Sequence, residues 1–339
     1  MSTAEQLESP IDLAALGDWM YERGVGAGPI TNVHKLGGGT QNIVLRFTQA
    51  GRDYVLRRPP LHKRDGNDET MRRETRILAA LAGSAVPHPR LIAACADDRP
   101  LGAAFYLMEP VGGANPVEHP PEPGAQQAFG TSMIDALLAL AAVDVEAAGL
   151  GDLGRRNGWL ERQVPRWTRR LQKYGETPGY VPPGGGIVTD EIAAWLDEHC
   201  PYIWQPGLVH GDYHIGNVMA DPRTGRLTAI VDWELGSIGD PLLDLGQLLV
   251  TWPTPGGAGL FDELPMLPTR GELISRYAAI SGRDLGDLNW FYVLAGFRLG
   301  VVLEETYVRA LSGKVPRELG ERFRMFATNL FIAAHDRCY

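Results

Sequence analysis

Two stretches decide the reading: Leu208-Val209-His210-Gly211-Asp212-Tyr213-His214-Ile215-Gly216-Asn217-Val218, and Ala229-Ile230-Val231-Asp232-Trp233-Glu234 after it. A lone Asp in a turn is more often a turn or cap residue than a catalyst. Here, however, three hard-oxygen side chains follow one another on strand-and-turn segments. They are Asp212, Asn217 five residues later, and Asp232 at the end of a buried-looking strand. One short span thereby supplies a carboxylate able to accept a proton and two ligands suited to a hard divalent cation.

Working outward, the first third of the chain is strand-rich. Thr31–Leu36 leads into Gly37-Gly38-Gly39, and Ile43, Leu45 and Phe47 then alternate with Val44 and Arg46. Ala50-Gly51 reads as a hairpin turn, and Tyr54–Arg57 resumes the strand before Pro59-Pro60 stops it. Asp68 to Ala82 is predicted as a helix with Gly83 as its cap. Its stripe Met71, Leu78 and Leu81 also carries Glu74, and a carboxylate on a buried face needs a partner, above all a cation. Leu91–Ala94 and Ala104–Met108 are two further short strands.

The Gly- and Pro-rich stretch from Gly112 to Gly124 is a loop by composition. Helices are predicted beyond it over 125–147, 160–173, 189–200, 271–281, 288–311 and 316–336. Pro165 should kink or restart the second of these. Five Gly and three Pro between Tyr174 and Gly186 predict an exposed loop. The expected fold is therefore α+β, with a small β-rich lobe over 1–110 and a larger, mainly helical lobe over 111–339.

Composition narrows the partners. The 339 residues admit two domains, and a hydrophobic share of 44% leaves ample material for a core. Lys and Arg total 32 against 41 Asp and Glu, a formal charge of −9 that argues against a broad basic face for nucleic acid or anionic lipid. Cys95, Cys200 and Cys338 are odd in number and in no metal-ligand spacing, which speaks against a disulfide framework or zinc module. The first 24 residues carry Glu5, Glu8 and Asp12 and lack the order of a signal peptide. The longest apolar run, Ala136 to Val143, is far short of the roughly 20 residues a bilayer needs. Trp290 to Leu303 is longer but contains Arg298. A cytoplasmic protein is expected, with a small-molecule partner and neither nucleic acid nor membrane.

Phosphoryl transfer from a nucleotide needs a carboxylate at the attacking hydroxyl and hard oxygen ligands for magnesium. It also needs a cation for the phosphates and a loop to cover them. The spacing Asp212…Asn217…Asp232 matches the kinase pattern. From about Ile30 to about Phe331 the sequence resembles the aminoglycoside phosphotransferase and choline kinase-like family, relatives of protein kinases. The segments 38–42, 55–60 and 232–235 look closest to the kinase-like domains fused to some acyl-CoA dehydrogenases.

The resemblance implies a two-lobed protein-kinase-like fold, ATP and Mg2+ as cofactors, and a hydroxylated small molecule as acceptor. It implies Asp212 as the catalytic base, with Asn217 and Asp232 holding magnesium. Gly38, Gly39, Thr40 and Asn42 would cover the phosphates, and Arg57 would pair with Glu74. Met108, Glu109 and Val111 would form the hinge, where the backbone of Glu109 and Val111 meets adenine; recognition through backbone leaves GTP open. Asp240 and Asp244 would be structural supports. His214, Glu234, Arg162 and Arg166 are candidates for the acceptor pocket, although Trp159, Gln163 and Trp167 recur every four residues as a packed helix face does. Arg57 replaces the Lys of protein kinases, which keeps the charge but changes its geometry to a planar fork.

Rival readings follow from the same residues. A hydroxyacyl compound is the first acceptor expected, and an aminoglycoside the alternative, although the segment around Arg162 offers mainly Glu161 as an acid. A nucleotide-binding scaffold without transfer is the non-catalytic rival. His210-x-Asp212-x-His214 could also present three side chains to one metal ion, as in a metallohydrolase.

Overall fold

Asp12 accepts the backbone N–H groups of Ala14 and Ala15 at 3.0 Å and so starts α1 (Leu13–Glu22). The computed structural model in which this is seen describes residues 11–37, 42–253, 260–261 and 264–338. The chain folds as two units. The first holds the described residues up to 84, together with 88–112 and 232–234; the second holds 85–87, 113–231 and 235 onward.

The first unit is built on β1 (Ile30–Lys35), β2 (Ile43–Gln49), β3 (Arg52–Arg58), α2 (Asn67–Ala80), β4 (Leu91–Cys95) and β5 (Phe105–Met108). The strands form one antiparallel sheet in the order β1-β2-β3-β5-β4. Ala50 and Gly51 take φ values of 50° and 77°, the left-handed pair that a two-residue hairpin requires, and Gln49 then faces Arg52. The alternation read from sequence holds in β2, where Ile43, Leu45, Phe47 and Gln49 are buried. One sheet face packs on α1, which buries Leu16, Trp19 and Met20 with Phe47, Leu56 and Phe105. Each such fully buried side chain contributes about 1.5–3 kcal/mol. Helix α1 was not among the predicted elements.

The second unit contains α3 (Gln126–Ala141), α4 (Gln163–Tyr174), α5 (Ile187–Glu198), β6 (Gly207–Val209), β7 (Val218–Ala220), β8 (Leu227–Ile230), β9 (Ser237–Gly239), α6 (Leu242–Thr251), α7 (Arg270–Ser281), α8 (Leu288–Leu311) and α9 (Arg317–His335). Strand β6 pairs with β9 and β7 with β8, both antiparallel. Helix α8 packs on α9 and on α6, and at Gly246 a Cβ would stand 2.6 Å from the Phe291 carbonyl oxygen. Glycine there lets two helix backbones touch.

Three departures from the sequence reading have local causes. Helix α3 stops at Ala141 rather than 147 because Asp144 turns its carboxylate onto the N–H groups of Glu146 and Ala147. Pro165 falls in the first turn of α4, where no helical N–H is needed, so it starts the helix instead of kinking it. The 174–186 segment is not wholly exposed: Tyr180 and Pro183 are buried, and the Tyr180 hydroxyl donates to Glu304 at 2.7 Å.

Candidate active site

In the second unit, β6 delivers the chain into the loop 210–217, and its backbone is held from two sides. The N–H groups of His210 and Gly211 donate to Asp244 Oδ2 and Oδ1 at 2.6 and 2.8 Å. Arg298, buried in α8, donates to the Gly211 carbonyl. Gly211 takes φ +79°, and a Cβ there would stand 2.6 Å from the Leu235 carbonyl oxygen, so this turn demands glycine. Burial pushes the Asp244 carboxyl up, and the His210 imidazole and both N–H donors pull it partly back.

Asp212 projects from this loop with its carboxylate fixed at both oxygens. Gln247 Nε2 on α6 donates to Oδ1 at 2.6 Å, and Asn217 Nδ2 donates to Oδ2 at 2.9 Å and to the Asp212 carbonyl at 3.0 Å. Burial works against ionisation of Asp212. The neighbouring His214, His210 and Arg298 outweigh it and hold the carboxyl well below the usual carboxylate range. Asp212 is therefore an anion at neutral pH, suited to orienting a hydroxyl and to receiving its proton late. With its Nδ2 spent on Asp212, Asn217 has its amide oxygen to offer a cation.

His210 and His214 have defined ring roles. His210 Nδ1 accepts from the Asp212 N–H at 3.2 Å, so its Nε2 carries the proton that goes to the Val231 carbonyl at 2.9 Å. Both nitrogens of this fully buried ring serve the backbone, so it cannot ligate a metal, and the His210/Asp212/His214 metallohydrolase reading fails on that ligand. His214 Nδ1 accepts from the Gly216 N–H at 3.0 Å, and its Nε2 lies 3.5 Å from Asp212 Oδ2.

The first unit carries a second cluster, centred on Arg57 of β3. Its Nε lies 3.0 Å from Glu74 Oε2, and its Nη2 lies 2.5 Å from Asp232 Oδ1 and 3.9 Å from Glu234 Oε2. Glu74, fully buried on α2, also accepts the Tyr106 hydroxyl at 2.8 Å. Burial opposes the Arg57 charge, but Glu74 and Asp232 reverse that effect and hold the guanidinium protonated. Burial raises the Glu74 carboxyl despite Arg57. Asp232 takes φ +66°, an uncommon conformation for a residue other than glycine. Oxygen ligands from Glu74, Asp232 and Glu234 lie within 4.8 Å of one another. Within this unit Asp232 offers a carboxylate oxygen, a hard donor of the kind magnesium takes.

Asn42 Nδ2 donates to Glu234 Oε2 at 3.3 Å. Met108 ends β5, and the Glu109 N–H donates to the Arg90 carbonyl at 2.9 Å, which leaves the Glu109 carbonyl as its hinge-type backbone group. The Glu109 side chain pairs with Arg90 and Arg52, and Val111 is half-buried. Gly38, Gly39 and Thr40 lie outside the described residues. The Arg162 guanidinium is taken up by the carbonyls of Arg155 and Asn157 in its own loop. Arg166 is exposed and lies over Trp167, 5.0 Å from the ring centroid. Trp159, Gln163 and Trp167 are buried as one packed face.

Two residues that hold Asp212 or its loop were not anticipated, Gln247 and Arg298. Each is a buried polar side chain within a helix, α6 for Gln247 and α8 for Arg298.

Comparison with known proteins identifies the family and the fold. The sequence matches the family model described as "Phosphotransferase enzyme family" over residues 32–269. It is 29% identical over 287 residues to acyl-CoA dehydrogenase family member 10 of Mus musculus, covering 81% of this chain and 26% of that one. It is also 29% identical over 305 residues to acyl-CoA dehydrogenase family member 11 of Gallus gallus, covering 86% and 38%. The chain thus spans between a quarter and two fifths of these relatives. Among solved structures, a putative aminoglycoside phosphotransferase from Ralstonia eutropha superposes with a TM-score of 0.78 at 28% identity, covering 96% of this chain and 99% of that one. Aminoglycoside phosphotransferase APH(4)-Ia shares the fold with a TM-score of 0.63 at 16% identity, covering 95% and 99%. The fold is protein-kinase-like, with a small antiparallel-sheet unit and a larger helical one. With the match extending over residues 32–269, this chain belongs to the phosphotransferase enzyme family.

Proposed function

We propose that the protein transfers the γ-phosphoryl group of MgATP to a hydroxyl of a small molecule, with a hydroxyacyl compound as the first acceptor class. The observation that carries the reading is the Asp212 carboxylate, ionised and held at both oxygens by Gln247 and Asn217. Two fold relatives support nucleotide use: one structure of APH(4)-Ia holds AMP-PNP with hygromycin B, and aminoglycoside 2'-phosphotransferase-IIIa holds GDP. The acyl preference rests on the relatives named as acyl-CoA dehydrogenase family members.

In this reading Asp212 aligns the acceptor hydroxyl for in-line attack on the γ-phosphorus. The new oxygen–phosphorus bond forms as the bond to the bridging oxygen of ADP breaks, and the hydroxyl proton passes to the Asp212 carboxylate. Asn217 and Asp232 hold the metal, Arg57 steadies the phosphates, and the backbone of Glu109 and Val111 receives the base. Magnesium, when bound, neutralises charge on the phosphate oxygens. Orientation is the main task of Asp212, because a carboxylate of depressed pKa is a weak base and the transition state asks for little proton transfer early on.

The test is ADP release from MgATP across hydroxy acids, hydroxyacyl-CoAs, amino alcohols and aminoglycosides, with MgGTP in parallel. Stimulation by the hydroxyacyl class is expected. Stimulation by aminoglycosides alone would replace the acceptor class. Nucleotide binding without stimulation by any class would favour a scaffold, and no nucleotide binding would refute the reading.

A further inference from the structure

Arg57 occupies an unusual electrostatic position. Three carboxylates, Glu74, Asp232 and Glu234, have oxygens within 4.8 Å of one another, and the Arg57 guanidinium is set among them. Its two ends differ in surroundings. The Nε end is ion-paired at 3.0 Å, without hydrogen-bond geometry, to Glu74, whose side chain is 0% exposed; the Nη2 end donates to Asp232, whose side chain is 39% exposed. Tyr106 also donates to Glu74, anchoring that end in the interior. Two neighbouring donors go to Glu234 instead of Asp232: Asn42 donates to the Glu234 carboxylate and Arg73 to the Glu234 carbonyl.

We propose that Arg57 gates the divalent cation: without nucleotide its guanidinium holds the Asp232 oxygen that the cation needs, and phosphate oxygens draw it away. This rests on the proposed role of Asp232 as a metal ligand. Magnesium sits about 2.0–2.1 Å from a carboxylate oxygen, so on Asp232 it would stand close to a guanidinium whose Nη2 is 2.5 Å from Oδ1. Like charges at that range repel strongly even near a surface. The planar fork makes the exchange workable, because the Nη2 end can leave Asp232 while the Nε end stays on Glu74. A lysine ammonium carries its donors on one nitrogen and so cannot keep one end fixed while the other moves. The consequence is binding order: the metal enters with nucleotide, and each strengthens binding of the other by the same factor.

The test is Mn2+ binding to the full chain, followed by electron paramagnetic resonance of the free ion, without nucleotide and then with ADP. R57Q should bind Mn2+ at least about tenfold more tightly than wild type without nucleotide, since a like charge has been removed. R57Q with Asp232→Ala should lose that gain. ADP should strengthen Mn2+ binding more in wild type than in R57Q. R57K keeps a cation for buried Glu74 should R57Q fold poorly, and it should shift Mn2+ affinity in the same direction. Mn2+ affinity unchanged or weakened in both variants, with ADP binding intact, would overturn the gate and mean that Arg57 orients Asp232 instead. Failure of wild type itself to bind ADP would refute the functional reading.

Discussion

Removing the carboxylate of Asp244 tests how the loop bearing Asp212 is held. Asp244 is 1% exposed and accepts two backbone N–H groups, from His210 and Gly211, at 2.6 and 2.8 Å. Hydrogen bonds to a charged group are each worth about 1.5–3 kcal/mol, so Asp244→Ala forfeits about 3–6 kcal/mol. Relief from burying a carboxylate whose pKa burial has raised returns about 1 kcal/mol of this, leaving a net cost of about 2–5 kcal/mol. For a cooperative unit of 150–250 residues that is a fall in Tm of about 4–20 °C. Asp244→Asn keeps one acceptor oxygen and should fall between wild type and alanine. Circular dichroism melts at pH 7 of all three proteins decide the matter. An alanine variant within about 2 °C of wild type, or an asparagine variant as unstable as alanine, would show that the two N–H groups do not depend on this carboxylate.

Other expectations follow from the same contacts. Gln247→Leu removes one donor from Asp212, worth about 1.5–3 kcal/mol, so kcat should fall by about 10- to 150-fold with KM for MgATP little changed. The same change made on Asp212→Asn should cost much less, and full additivity in that double-mutant cycle would show that Gln247 does not act through Asp212. Glu304 is buried and raised by that burial, although the Tyr180 hydroxyl pulls it back. A carboxyl raised in the folded state stabilises most below its unfolded pKa, about 4.3, and loses that contribution as pH rises through the folded value. Glu304→Gln should therefore gain on wild type in Tm between pH 4 and pH 8, and a constant difference across that range would contradict the assignment.

Much of the fold and part of the candidate site were legible because chemistry interrupts pattern. The alternation of Ile43, Leu45 and Phe47 marked a half-buried strand, and the largely apolar stretch Trp290 to Leu303 lay in a helix predicted over 288–311 whose observed ends agree with that reading. Glu74 on an apolar stripe called for a cation, and Arg57 is there at 3.0 Å. Helix α6 gave no such signal: all ten of its residues are buried, so no polar face exposes a helical period. Gln247 and Arg298 were hidden differently, since their partners lie 35 and 87 residues away and only tertiary packing brings them to Asp212 and Gly211. Arg162 shows the converse, because its place among aromatics suggested a ligand contact while its guanidinium satisfies carbonyls of its own loop.

The central claim is that Asp212 serves transfer and not nucleotide binding. Its most direct test is Asp212→Ala beside wild type, measuring MgATP affinity by calorimetry and phosphoryl transfer to the stimulating acceptor. The account predicts a loss of roughly 10²–10⁴ in kcat with nucleotide affinity retained. Transfer at the wild-type rate, or loss of MgATP binding equal to the loss of transfer, would contradict it.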